Sequence, residues 1–216
     1  MIPVPPRATP PTLVLLVRHG LTPTTGKILP GRAPGLLLSE AGRRQAEAAA
    51  TRLGRLERLA AVYASPLERA RETAAPIAGA RRLRVRVEPA LTDCDVGEWT
   101  GRRLRQLRKR PEWRVIQHHP SGFRFPGGES FTEMQARITT AVGRLVARHP
   151  GETIVTVSHG DPIKAAVAHA LGTPLDLFQR IVISPGSITA IAYGMEGPVV
   201  LTVNSLDGDL AGLLER

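Results

Sequence analysis

With 216 residues, 42% of them hydrophobic, the chain can bury a sizeable core, most simply as one domain. A single cysteine, Cys94, excludes an intrachain disulfide and a thiolate-rich metal site. No apolar stretch is long enough to cross a membrane and no basic-then-apolar leader stands out, so the expectation is a soluble, cytoplasmic protein. The net charge of +10 is almost all arginine, the only lysines being Lys27, Lys109 and Lys164. With abundant Ala, Gly and Pro this fits a GC-rich coding sequence, and as a field it would draw anionic ligands toward a cleft.

Residues 1–11 hold five prolines and read as a flexible arm. The run 12–17 is apolar enough for a buried strand and ends in Arg18-His19-Gly20. A helix is expected over 39–59, with Ser39 as N-cap and Ala46, Ala49, Ala50 and Leu53 on one stripe. A short strand at 61–64 leads into a helix opened by Ser65-Pro66, with Ser65 as cap and Pro66 in the first helical position. Strands follow at 83–87 and 153–157. Between them, 132–148 reads as a long amphipathic helix carrying Met134, Ile138, Val142 and Leu145. A helix at 161–171 and two closing strands at 188–193 and 199–203 complete the alternation. It indicates an α/β sandwich around a largely parallel sheet. Residues 102–130 fit that alternation poorly and read as a flap inserted over one end of the sheet.

Polar groups of complementary type cluster at three strand ends, where open α/β sheets bind ligands. The first end supplies Arg18, a planar fork of donors suited to phosphate, and His19, neutral and nucleophilic near physiological pH. The second places Arg69 in the first turn of a helix, where the dipole disfavours a cation unless an anion is bound there too. The third gives His159-Gly160, again a histidine directly after a buried strand.

The runs Val17-Arg18-His19-Gly20-Leu21-Thr22, Ser65-Pro66-Leu67-Glu68-Arg69-Ala70 and Ser158-His159-Gly160 resemble the histidine phosphatase superfamily. The branch is the one with the cofactor-dependent phosphoglycerate mutases, fructose-2,6-bisphosphatases and alpha-ribazole phosphatases. Further family-like marks are Leu38-Ser39 with Gly42 and Gln45, Gly97-Glu98-Trp99-Thr100-Gly101, and Pro126-Gly127-Gly128-Glu129-Ser130. The stretch 22–32 is also similar to an actinobacterial subgroup that carries a phosphomutase label. The resemblance implies a three-layer α/β/α sandwich of phosphoglycerate mutase type, with residues 12–216 forming one such domain. It implies catalysis by His19 as nucleophile, with Arg18, Arg69, His159, Thr25 and Gly160 around the phosphate, and no metal or other cofactor. The substrate expected is a small phosphorylated metabolite.

Two positions depart from the family pattern. The acid that protonates the leaving oxygen is a glutamate in the family and falls here on Asp93, one methylene shorter; Asp95 and Glu98 are fallback candidates. Relatives also place an asparagine and an arginine where this chain has Thr25 and Ile28, which points to a less charged or differently shaped substrate pocket, with Arg32 as a compensating cation.

Of the remaining residues, Trp99 is expected to pack beneath the acid loop. The basic run 102–110, with Leu104 and Leu107 at helical spacing, reads as an amphipathic flap with a solvated face. Only Trp113 is near it as an aromatic, which argues against nucleic acid as partner. His118 and His119 lack metal-ligand company, and His149 and His169 read as ordinary helix residues. Glu129 and Ser130 either line the pocket, by analogy with the family, or Ser130 caps the long helix.

The leading expectation is a metal-independent phosphomonoesterase. The rivals are a phosphomutase using the same residues, a catalytically weak phosphate-ligand binder and, more distantly, a basic nucleic-acid module. A homodimer through a sheet edge or helix face is compatible with the pattern.

Overall fold

The computed structural model describes residues 10–210, so most of the arm expected at 1–11 lies outside the described residues. Six strands form the central sheet in the order β4 (Val85–Val87), β3 (Ala61–Ala64), β6 (Thr153–Ser158), β1 (Thr12–Arg18), β7 (Ile188–Gly194), β8 (Gly197–Ser205). The first four run parallel; β7 pairs antiparallel with β1, and β8 antiparallel with β7. A second sheet of two short strands pairs β2 (Ile28–Leu29) with β5 (Arg102–Arg103).

Strand β1 shows why the sandwich has three layers. Successive side chains of a strand point to opposite faces. Val14 and Leu16 enter one core, with Tyr63 and Ile154, while Leu13, Leu15 and Val17 enter the other, with Val62 and Val155. Both faces are therefore apolar, and both need helices. On the second face lie α1 (Glu40–Gly54) and α2 (Glu68–Ala80); on the first, α5 (Phe131–Arg148) and α6 (Gly160–Ala170). Ser130 opens α5 through a capping box with Glu133, the capping role that was one of its two expected readings.

Some expected boundaries move, each for a local reason. Helix α1 stops at Gly54 rather than 59, because the chain must turn to feed β3; Leu56 and Leu59 still bury beneath it. Ser65-Pro66 does not open α2. Leu67 is its extended N-cap, and the Ser65 hydroxyl is used elsewhere, on His159. The strand expected from 83 begins at Val85, after Arg82 turns the chain with φ 53°.

The segment 102–130 is an excursion bound to the first core. It carries the short helices α3 (Leu104–Leu107) and α4 (Pro111–His118), so the helix read over 102–110 is reduced to one turn. Leu107 and Ile116 are buried, and Phe123 and Phe125 join Trp99, Phe131 and Phe178 in a run of aromatic contacts with ring centroids 5.0–6.4 Å apart. His119 pairs with Asp176 at 3.1 Å, tying the excursion to the turn after α6.

Candidate active site

The site is built where β1, β3 and β6 end side by side. The register sets Arg18 beside Ser158 and Ala64 beside Val157. Parallel pairing therefore delivers Arg18-His19, Ser65 and His159 to the same edge. After His19 the chain passes tightly against the start of α1: a Cβ on Gly20 would stand 2.3 Å from Gly42 O, and one on Gly42 2.0 Å from Leu21 O. Gly20 thus serves close packing of backbone on backbone.

His19 is 6% exposed, and its Nδ1 lies 2.7 Å from the carbonyl of Gly20. That bond holds the hydrogen on Nδ1 and leaves the Nε2 lone pair toward the cavity. Burial, followed by the neighbouring His159, Arg69 and Arg18, pushes the ring's pKa well below the ordinary histidine range, so it stays unprotonated. The two histidine rings are 5.1 Å apart between centroids.

His159, fully buried, contacts Ser65 Oγ through Nε2 at 2.8 Å. Ser65 Oγ accepts from Leu67 N–H, so its own proton is free for His159 Nε2; the neutral ring then carries its hydrogen on Nδ1. Burial and then Arg69 push this histidine's pKa well down as well. Its Nδ1 is 3.6 Å from Asp93 Oδ2.

Arg69 is fully buried and donates from Nη2 to Gly31 O at 2.8 Å and to Asp93 Oδ2 at 3.0 Å. Arg18 donates to Ile183 O at 2.6 Å, and burial lowers its pKa from the ordinary arginine value, with Asp161 and Asp93 opposing. Among the described residues, four buried nitrogens in this group make no hydrogen bond: Arg18 Nε, Arg69 Nε and Nη1, and His159 Nδ1. Unpartnered buried donors each carry a desolvation penalty of about 1–3 kcal/mol, more when charged. Several around one histidine define a site organised for an anion.

The acid candidates separate cleanly. Asp93 lines the cavity with Arg18, His19, Thr22, Thr25 and Gly160, a space of about 160 Å³. Asp95 is turned to Arg32 at 3.4 Å and accepts from Gly97 N–H, and Glu98 is exposed. Arg32 is likewise engaged, with Asp93 O at 2.9 Å and Glu129 at 2.9 Å, so it does not replace the arginine lost at Ile28. Thr25 Oγ1 accepts from Thr22 N–H at 2.9 Å. Cys94 also faces the cavity, but burial pushes its thiol pKa up, which keeps it protonated and unreactive.

Sequence reasoning missed the scaffold behind Asp93. Arg137 on α5 donates to the carbonyls of Ala90 (2.7 Å), Thr92 (3.0 Å) and Asp93 (3.3 Å), and pairs with Glu129 at 2.6 Å. Glu129 in turn accepts from Asp95 N–H at 2.9 Å. Glu129 therefore holds the acid loop and is not among the residues lining the cavity around His19. A polar Arg137 one residue from the apolar Ile138 was the available signal, and helical periodicity alone assigns it to a solvated flank. Trp99 is buried under the guanidinium of Arg110, 5.3 Å above its ring, without reaching that cavity.

A buried histidine beside a second buried histidine and two arginines makes a site suited to an anion such as phosphate. Residues 14–206 match the profile of the histidine phosphatase superfamily (branch 1), and the chain belongs to that family. Among curated proteins it is 35% identical to the bifunctional protein Rv2228c of Mycobacterium tuberculosis over 87% of this chain, but spans only 52% of that relative's length. It is 34% identical to phosphoserine phosphatase 1 of Hydrogenobacter thermophilus, covering 88% of this chain and 91% of that one. Among solved structures, the mycobacterial glucosyl-3-phosphoglycerate phosphatase Rv2419c superposes with a TM-score of 0.80 at 28% identity, covering 92% and 100% of the two chains. A phosphoserine phosphatase from Entamoeba histolytica superposes with a TM-score of 0.81 at 25% identity, covering 91% and 98%.

Proposed function

We propose that this chain is a metal-independent phosphatase that hydrolyses phosphomonoesters through a phosphohistidine at His19. The observation that carries the proposal is the set of four buried donors from Arg18, Arg69 and His159 that make no hydrogen bond among the described residues, on groups close to His19: the His159 ring lies 5.1 Å from its ring and both arginines help depress its pKa. They match the non-bridging oxygens of a phosphoryl group, whose spreading charge is the main thing such a site must hold.

In the first step Nε2 of His19 bonds to phosphorus as the ester P–O bond breaks, and Asp93, entering as the carboxylic acid, gives its proton to the departing oxygen. In the second, water attacks phosphorus, Asp93 takes a proton from it, and the N–P bond breaks to free phosphate and neutral His19. The shorter aspartate is served by its position: Oδ2 stands beside Arg69 and His159, on the phosphate-binding groups themselves. A cytoplasmic setting belongs to the same reading; among the described residues no helix is long and apolar enough to cross a membrane.

The test is release of phosphate from p-nitrophenyl phosphate with a chelator present. Chelator-resistant turnover that falls by at least ~10³-fold in His19→Ala supports the proposal. Turnover that needs added metal, or that survives His19→Ala, overturns it. Isomerisation of a phosphorylated metabolite after bisphosphate priming, with no phosphate released, would make the chain a mutase.

A further inference from the structure

Beside the cavity at His19 lies a second one of about 210 Å³, walled by Trp113, Phe125 and Phe131 together with Leu29, Val96 and Leu104. Those last three, with Asp161, line both spaces. We infer that this second chamber receives the carbon skeleton of the leaving alcohol, so that the preferred substrates are phosphomonoesters of alcohols bearing an aromatic or branched apolar group. The inference rests on the phosphatase reading and adds the substrate class to it.

Direction comes first. In an in-line displacement the leaving oxygen departs opposite the nucleophile, so the alcohol extends away from His19. The first cavity carries an apolar lining from Ile28, Leu29, Val96 and Leu104, three of which continue into the second. Size agrees: an apolar cavity of about 150 Å³ admits benzene, and this chamber exceeds that.

Charge decides against a second acidic group. The group at the junction is a carboxylate, Asp161, and its partner Lys164 is already engaged, 3.3 Å from Asp161 and 3.0 Å from Gln179 Oε1. Arg108 lies on the exposed flap at the rim. An acidic alcohol would bring its charge beside Asp161, and the cations of the chamber, Lys164 and Arg108, would have to leave Asp161 and Gln179 or the solvent to meet it. A hydroxyl or amine donor on the alcohol would instead find Asp161 within the junction.

The experiment compares kcat/KM of the full chain for 2-phenylethyl phosphate, ethyl phosphate and O-phosphoserine. The first two are esters of simple primary alcohols, so the bond broken is alike and the difference reads the chamber. The expected preference for the phenylethyl ester over ethyl is at least ~10-fold, with phosphoserine also below phenylethyl. Trp113→Ala and, separately, Leu104→Gln should each lower the phenylethyl-to-ethyl ratio by threefold or more. Leu104 is only half-buried at the start of α3, so Leu104→Gln decides if Trp113→Ala fails to fold. A wild-type ratio near one, phosphoserine preferred, or a ratio unmoved in the folded variants overturns the inference while phosphate release leaves the phosphatase reading standing. Release from none of the esters, nor from p-nitrophenyl phosphate, removes that reading and this one with it.

Discussion

The two ends of the cavity are built on different principles. The phosphate end is made by the last residues of β1 and β6 and the first turn of α2, and its side chains are buried with donors held open. The leaving-group end is made by excursions from the sheet: β2, the acid loop and α3. It is lined by apolar side chains and held in place by the Arg137–Glu129–Arg32 network. Phosphate recognition is thereby fixed by the parallel register, which cannot slip without exposing a core face. The alcohol side can change shape while that register stays put.

The effect that is uniform across esters separates the ends most sharply. Arg69→Met removes a donor aimed at the transition state and should cost ~10²–10³ in kcat on every ester, whatever its alcohol. A loss confined to KM would show instead that Arg69 binds ground and transition states alike.

Asp93→Asn tests the junction between the ends. Its loss should follow the leaving group: ~10²–10⁴ on alkyl phosphates and much less on p-nitrophenyl phosphate, whose oxygen departs without a proton. An equal loss on both would remove Asp93 as the acid and leave it as a partner of Arg69.

Arg137→Met asks whether the acid loop depends on its clamp. We expect a loss of ~10-fold with the same leaving-group dependence as Asp93→Asn, but smaller, and a stability loss of about 1–3 kcal/mol from the carbonyls it leaves unpaired. A uniform loss across leaving groups would make the clamp purely structural.

The pH dependence of stability belongs to the phosphate end. His19 and His159 have folded pKa values held well below the ordinary range, so the unfolded chain binds more protons than the folded one once pH drops below about 6.5. Their stabilising contribution is complete above that pH and is lost as pH falls through it toward the depressed folded values. Urea midpoints should drop between pH 8 and 5, by at most about 1.4 kcal/mol per pH unit for each histidine. The drop should shrink in His159→Asn; an unchanged drop would place the acid sensitivity elsewhere. Gly20→Ala forces the β1–α1 contact apart and should cost about 1–3 kcal/mol of stability, read from the same urea midpoints.

Much of this molecule was legible in the chain. The apolar runs ending in Arg18-His19 and Ser158-His159 located two strands and the edge where they stop, because a strand buried on both faces has no room for such groups inside it. The N-cap Ser39 and the stripe of α5 were equally direct, since each depends on neighbours within a few residues. Ser65 was misread for the opposite reason: Ser-Pro is a good local helix start, but a buried histidine 94 residues away takes the hydroxyl.

The sequence by itself determined the side chains available at the sheet edge: a histidine, two arginines, a second histidine and an aspartate. Only the tertiary structure decided which donors stay unpartnered, that Arg32 is spent on the acid loop, and that Arg137 and Glu129 brace it. Those outcomes depend on distances between residues far apart in the chain, and one-dimensional spacing carries no information about which of two arginines finds a carboxylate first. The apolar chamber beyond Leu29 and Leu104 is of the same kind, a space that exists only where separate elements fail to meet.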